Sequence, residues 1–146
     1  MRVFTENRKA SFSYEILERF EAGLVLLGTE VKSIKLGRAS LTGSYVVTQG
    51  NELFLTGGHI PAYQPKNAPA GYLPERNRKL LLTKKELNYL RGRLSQKGLT
   101  FVPLRLYTND EKIKLGFALA KPLKKADRRE IIKKRDVRRE IKDALG

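Results

Sequence analysis

Residues 99–120 read Leu99-Thr100-Phe101-Val102-Pro103-Leu104-Arg105-Leu106-Tyr107, then Thr108-Asn109-Asp110-Glu111, then Lys112-Ile113-Lys114-Leu115-Gly116-Phe117-Ala118-Leu119-Ala120. Two runs rich in β-branched, aromatic and aliphatic residues flank a polar four-residue turn, which predicts a β-hairpin. Immediately upstream, Thr83-Lys84-Lys85-Glu86 has the spacing of a capping box, and Leu87, Leu90 and Leu94 form an apolar stripe ending before Gly98. That segment reads as a helix. Ser44–Thr48 and Glu52–Thr56 surround Gln49-Gly50-Asn51 and predict a second hairpin turning at Gly-Asn. Phe12–Leu27 reads as one long strand bent near Gly23. Thr29 is placed to cap a short helix running to Leu36, with Glu30 at its positive end and Gly37 at its stop. Residues 61–77 hold four prolines and little periodicity, the signature of a long loop.

The order is thus long strand, short helix, hairpin, loop, helix, hairpin. Helices do not alternate regularly with strands, which argues against a doubly wound parallel sheet. About six antiparallel strands in ~110 residues close most economically into a small barrel, because closure removes exposed edges. The expected fold is mainly β: a closed antiparallel barrel of the oligonucleotide-binding (OB) type with two or three helices and a basic C-terminal tail. A Greek-key sandwich is the alternative. The expected organisation is a barrel over residues 1–120 and a tail over residues 121–146.

Charge narrows the partner. The chain has 30 basic and 15 acidic side chains, a net charge of +15, and a sequence pI near 10.2. Residues 121–146 hold eleven basic and five acidic groups, while residues 1–120 remain at net +9 without them. A body this positive calls for a polyanion, and nucleic acid leads because phosphate neutralisation releases counterions. No segment approaches the ~18 apolar residues of a membrane span, and the first residues lack the apolar core of a signal peptide. Cysteine is absent and there is one histidine, which removes disulfides and disfavours zinc. These features predict a cytoplasmic protein with no metal or cofactor. In the tail, Ile131, Val137, Ile141 and Leu145 fall within a ~120° arc and Ile132 lies outside it. A stripe so narrow, on a basic segment, suits ordering on a polyanion better than a place in a core.

Catalysis finds little support. The P-loop, dinucleotide and metalloprotease fingerprints are missing, and His59 has no acid or nucleophile at a useful spacing. Glu18, Glu21 and Glu30, in so basic a chain, are read as partners for Arg and Lys rather than as a carboxylate cluster. The RNA-binding candidates are Arg76, Arg78 and Lys79 at the end of the long loop, with Tyr63 and Tyr72 offering stacking faces or else packing the loop onto the barrel. Arg78, beside an apolar run, is expected to stay in solvent. Asn7, Arg8 and Lys9 precede the first strand, with a frayed terminus as the alternative. Lys32 completes the basic set.

Several motifs resemble one bacterial family. Glu6-Asn7-Arg8-Lys9-Ala10, residues 19–24, Gly28-Thr29-Glu30-Val31-Lys32-Ser33, residues 78–82, Gln96-Lys97-Gly98-Leu99-Thr100 and Asp127-Arg128-Arg129-Glu130 are similar, in order and spacing, to the SsrA-binding protein (small protein B) family. The resemblance runs from about Glu6 to about Arg139. It implies an OB-type barrel that holds the tRNA-like part of transfer-messenger RNA (tmRNA) and delivers it to stalled ribosomes, with no enzymatic activity. It implies functional positions at Asn7, Glu21, Leu81 and Lys114. Lys114 and Asn7 suit direct RNA contacts, Leu81 a supporting role, and Glu21 an acceptor toward a base, a 2′-OH or a neighbouring Arg. It further implies a monomer whose tail is disordered when free and helical in the ribosomal mRNA path near the decoding centre, with large-subunit contacts also open. The tail residues concerned are Lys124, Lys125, Asp127, Arg128, Arg129, Ile132, Lys133, Lys134, Arg135, Val137, Arg138 and Arg139. Two departures from the family pattern are Pro122-Leu123 at the tail exit and Val137 in place of a frequent Trp. The alternative is a ribosome-associated structural protein without a dedicated tmRNA partner.

Overall fold

The hairpin expected at 99–120 forms in the computed structural model, which describes residues 1–123. The strands are β1 (Arg2–Glu6), β2 (Tyr14–Leu24), β3 (Tyr45–Gln49), β4 (Glu52–Thr56), β5 (Arg78–Leu81), β6 (Thr100–Thr108) and β7 (Ile113–Pro122). The helices are α1 (Ala10–Ser13), α2 (Gly28–Lys35) and α3 (Lys84–Leu94), with a single 3₁₀ turn at Pro65–Asn67. All pairings are antiparallel. The sheet order β1-β6-β3-β4-β5-β2-β7, together with direct β6–β7 pairing, closes six strands into a ring with β1 attached outside it. This is the expected closed barrel.

Phe101, Leu106, Leu115, Phe117 and Leu119 point into the ring and are buried with Leu53, Leu55 and Leu80. Phe20, Phe101 and Phe117 stack within 5.6–6.2 Å of one another at its centre. Helix α3 has the anticipated box: the Glu86 backbone N–H donates to Thr83 Oγ1 at 3.2 Å, and the Thr83 N–H donates to Glu86 at 3.0 Å. Leu87 and Leu90 of α3 and Ile34 of α2 enter the same core. The β3–β4 turn is two residues long, with Gly50 alone at positive φ (+62°), the sign pattern of a type II′ hairpin.

Four local expectations are corrected. Strand β1 stands in the polar N-terminal stretch, where no strand was expected. It pairs with β6 from Arg2↔Thr108 to Glu6↔Arg105, and this pairing needs backbone groups rather than an apolar signature. Phe12 and Ser13 belong to the helical turn α1 instead of the strand, because Lys9 O accepts from their N–H groups. The irregularity in β2 lies between Ile16 and Glu18, not at Gly23, where an added Cβ would meet the Leu81 side chain at 3.4 Å. Leu27, not Thr29, caps α2, and its N–H donates to Glu30 Oε1 at 2.8 Å.

Candidate nucleic-acid interface

Strand parity decides what the barrel shows outside. Leu106 and Leu115 are inward, so Arg105, Tyr107, Lys114 and Gly116 point out, beside Arg19, Glu21 and Gly23 of β2. Gly116 leaves the centre of this face bare. A Cβ there would lie 3.3 Å from both Arg105 Cγ and Tyr107 Cε1, so both side chains lie low across the sheet. The Arg105 guanidinium sits 5.0 Å from the Tyr107 ring centroid. The Tyr107 hydroxyl donates to Glu21, and Lys114 Nζ stands 3.4 Å from the other Glu21 oxygen.

Electrostatics follow from this geometry. The Tyr107 hydrogen bond, reinforced by Lys114, holds the Glu21 carboxyl below the usual carboxylate range against the opposing effect of burial. Burial, then the hydrogen bond to Glu21 and the Glu21 charge, push the Tyr107 hydroxyl up to about 12. Glu21 is therefore a fixed, ionised acceptor with 54% of its side chain still open. It cannot accept from phosphate, but it can accept from a base edge or a 2′-OH, while Arg19, Arg105 and Lys114 offer phosphate contacts around it.

On one flank, Gly23 pairs with both Leu81 and Lys114, and the half-exposed Leu81 joins Leu26, Val31 and Ile113 around a shallow apolar depression. On the other flank, Arg19 and Arg105 border a second depression with Asn7 and Arg8. The structure thus brings Asn7, Arg8, Glu21, Leu81 and Lys114 onto one continuous face. Asn7 also braces the scaffold. Its Nδ2 donates to Pro103 O at 2.9 Å and its N–H to Leu104 O at 2.7 Å, tying the end of β1 to β6. Arg19, Arg105 and Tyr107 were not singled out from the sequence. Their period-two spacing (19 with 21, 105 with 107) was the available signal.

The remaining candidates lie elsewhere. Lys32 Nζ rests 5.4 Å from the Tyr63 ring centroid on the α2 side, and the Tyr63 carbonyl accepts from Arg38. Lys79 is 3.6 Å from Glu52 across β4–β5. Lys9 is exposed beside a groove lined by Tyr45 and Val47. Arg78 is the main correction: expected in solvent, it is fully buried. Its Nε and Nη2 donate to Glu30 Oε2 at 3.0 and 2.6 Å, and its Nη1 donates to Gly58 O at 2.8 Å. On a strand, residue 78 shares its face with Leu80 and so must point inward. A guanidinium held in this way is not available to phosphate.

Arg76 Nε donates to the same Glu30 oxygen at 3.0 Å, and its Nη2 contacts the other. The Tyr72 hydroxyl donates to Ile60 O at 2.6 Å and lies 3.1 Å from Glu30. Tyr72 therefore packs the long loop onto the barrel, and Glu30 is the knot holding α2, the loop and β5. Burial raises its pKa, but hydrogen bonds from Arg76, the Leu27 N–H and Arg78 outweigh that and lower it to about 2. The reading of the glutamates as partners for cations holds: Glu30 meets Arg76 and Arg78, Glu21 meets Lys114, and Glu18 meets Arg93 at 3.5 Å. His59 touches Glu75 at the surface. Strand β7 runs to Pro122, and Leu123 N–H donates to Ser13 O at 2.9 Å, which sets the direction in which the chain leaves the barrel. The tail positions from Lys124 to Arg139 lie outside the described residues.

A closed barrel with an outer sheet of Arg19, Arg105 and Lys114 around a fixed acceptor defines a small β-barrel RNA-binding protein. The sequence profile of the family described as SmpB protein matches residues 4–146. An SsrA-binding protein from Oleidesulfovibrio alaskensis (strain ATCC BAA-1058 / DSM 17464 / G20) is 47% identical over 143 residues, covering 96% of this chain and 90% of its own length. Another, from Agrobacterium fabrum (strain C58 / ATCC 33970), is 46% identical over 140 residues, covering 95% and 87%. A solved chain described as "tmRNA-SmpB: a journey to the center of the bacterial ribosome" superposes with a TM-score of 0.68 at 42% identity, over 88% of this chain and 93% of that one. The chain belongs to the SmpB protein family.

Proposed function

We propose that this protein binds the tRNA-like domain of tmRNA and delivers it to stalled ribosomes for trans-translation, acting by binding and not by catalysis. The observation that carries the reading is family membership over residues 4–146, in a family whose relatives are called SsrA-binding protein. The outer sheet supplies a physical rationale. Arg8, Arg19, Arg105 and Lys114 suit backbone phosphates, Glu21 suits a hydrogen-bond donor on a base or ribose, and Leu81 gives an apolar contact. Lys32, Tyr63 and Lys79, away from this sheet, offer peripheral contacts, and Arg76 and Arg78 support the fold through Glu30. Residues 1–120 form the RNA-binding unit, and residues 121–146 contact the ribosome through the basic side chains from Lys124 to Arg139. Among the described residues no helix is long and apolar enough to cross a membrane; the cytoplasm is the compartment this work requires.

A gel-shift titration at ~0.15 M salt tests the reading. The protein is expected to bind the tRNA-like domain at least ten-fold more tightly than duplex RNA of equal length, and Glu21→Gln or Lys114→Ala to remove most of that preference. Equal affinity for the two RNAs would overturn it.

A further inference from the structure

Helix α3 carries charge that the outer-sheet interface does not use. Between residues 84 and 97 there are five cations, Lys84, Lys85, Arg91, Arg93 and Lys97, and one carboxylate, Glu86, which is occupied in the N-terminal cap. Arg93 pairs with Glu18, whereas Lys84, Lys85, Arg91 and Lys97 have no ion pair among the described residues. Leu87 and Leu90 take up the inward face, which leaves Lys84, Lys85, Asn88, Tyr89, Arg91 and Gly92 on the solvent side.

Gly92 has no structural reason to be glycine. Its φ is not positive, and a Cβ built on it meets nothing within 4 Å. A glycine inside a helix is less favourable than alanine by about 0.5–1 kcal/mol. Its one physical consequence here is a bare patch of helix surface, one turn along from Asn88 and flanked by unpaired cations. Close approach of another backbone is the use such a bare patch serves.

We propose that the solvent face of α3, centred on Gly92 and Asn88 and edged by Lys84, Lys85 and Arg91, is a second RNA-docking surface that takes the minor groove of a paired ribosomal RNA segment. The wide, shallow minor groove of A-form RNA presents phosphates and 2′-hydroxyls to a helix roughly 16 Å long, and Asn88 can both donate to and accept from a 2′-OH. The ribosomal source follows from position. Helix α3 meets β2 through Glu18 and Phe20, whose side chains face away from the side of the sheet carrying Arg19 and Glu21. A compact RNA held on the outer sheet leaves α3 free for a different RNA.

The test uses the full chain saturated with the tRNA-like domain, titrated with a ~20-base-pair RNA duplex and, separately, a DNA duplex of the same sequence. The loaded protein is expected to bind the RNA duplex without releasing the first RNA, and to bind it better than the DNA. Gly92→Leu favours the helix but fills the bare patch. It should weaken duplex binding at least ten-fold with a melting temperature equal to or above wild type. Lys85→Ala with Arg91→Ala should lower the log-affinity against log-salt slope by about 1.4–1.8, at 0.7–0.9 per phosphate. Wild-type duplex affinity in both variants, equal affinity for DNA, or displacement of the tRNA-like domain by the duplex would each overturn the proposal. Failure to load the tRNA-like domain in the first place would count instead against the function proposed above.

Discussion

Replacing Arg78 with Ala removes the only fully buried cation of the described residues and leaves Arg76 as the one remaining counter-charge of the Glu30 carboxylate among them. Both side chains of the Arg78–Glu30 pair have 0% exposure, and four Arg78 hydrogen bonds are lost, two to Glu30, one to Gly58 O and one to the Tyr72 hydroxyl. Breaking a buried pair from one side costs about 3–5 kcal/mol, because the orphaned charge stays desolvated. For a domain whose total stability is ordinarily ~5–15 kcal/mol, that is a large fraction. The acid limb of stability gives a second readout. The Glu30 pKa falls from 4.5 to about 2 on folding. A carboxyl with a depressed folded pKa contributes stability that is fully present above its unfolded pKa and is lost as pH falls through the folded value. The contribution is roughly 3 kcal/mol, disappearing between about pH 5 and pH 2. Urea titrations at pH 7, 4 and 2.5 measure both effects. Arg78→Ala should lower the midpoint sharply at pH 7, and Glu30→Gln should flatten the loss between pH 5 and pH 2. The double substitution Arg78→Met with Glu30→Gln should recover part of the deficit, since it removes the buried charge along with its partner. An Arg78→Ala protein that unfolds at the wild-type midpoint would refute the reasoning.

Three further outcomes follow from the same geometry. Gly116→Val should displace Arg105 and Tyr107, both 3.3 Å from the new Cβ, and lower affinity for the tRNA-like domain several-fold in a filter-binding assay while the barrel stays folded. Tyr107→Phe removes the largest cause of the lowered Glu21 pKa; carboxyl-detected NMR titration should show that pKa moving up toward the ordinary range. Truncation after Asp127 removes most of the basic tail; affinity for tmRNA should change little, whereas tagging of chains on stalled ribosomes in a reconstituted system should be lost.

The two hairpins and α3 were legible without coordinates because their signals are local. Gly50-Asn51 admits a two-residue turn, Thr83 and Glu86 satisfy each other's N–H groups, and alternating apolar residues mark β6 and β7. Net charge pointed to a polyanion for an equally simple reason: repulsion depends on how many charges there are before it depends on where they sit. The positions carried over by family resemblance, Asn7, Glu21, Leu81 and Lys114, do fall together, although the residues themselves gave no spatial reason for it. That reason is the β2–β7 and β2–β5 pairing, which joins residues 56 to 108 positions apart in the chain. Such pairings depend on how distant side chains fill a shared core, and no window of sequence contains that information. Strand β1 escaped notice because backbone hydrogen bonding to β6 leaves no hydrophobic pattern.

Arg78 and Lys79 show the division most plainly. In the sequence they are adjacent cations at the start of an apolar run, and both read as phosphate ligands. Strand parity turns residue 78 inward with Leu80 and residue 79 outward, so parity was the signal present in the sequence. What made an inward arginine tolerable was the Glu30 carboxylate, brought from 48 residues away by α2. Sequence determined that this protein is a basic β-barrel built to meet RNA. The tertiary structure decided which of its cations face the RNA and which one holds the barrel together, because a guanidinium is desolvated without a large penalty only where the fold delivers its counter-charge.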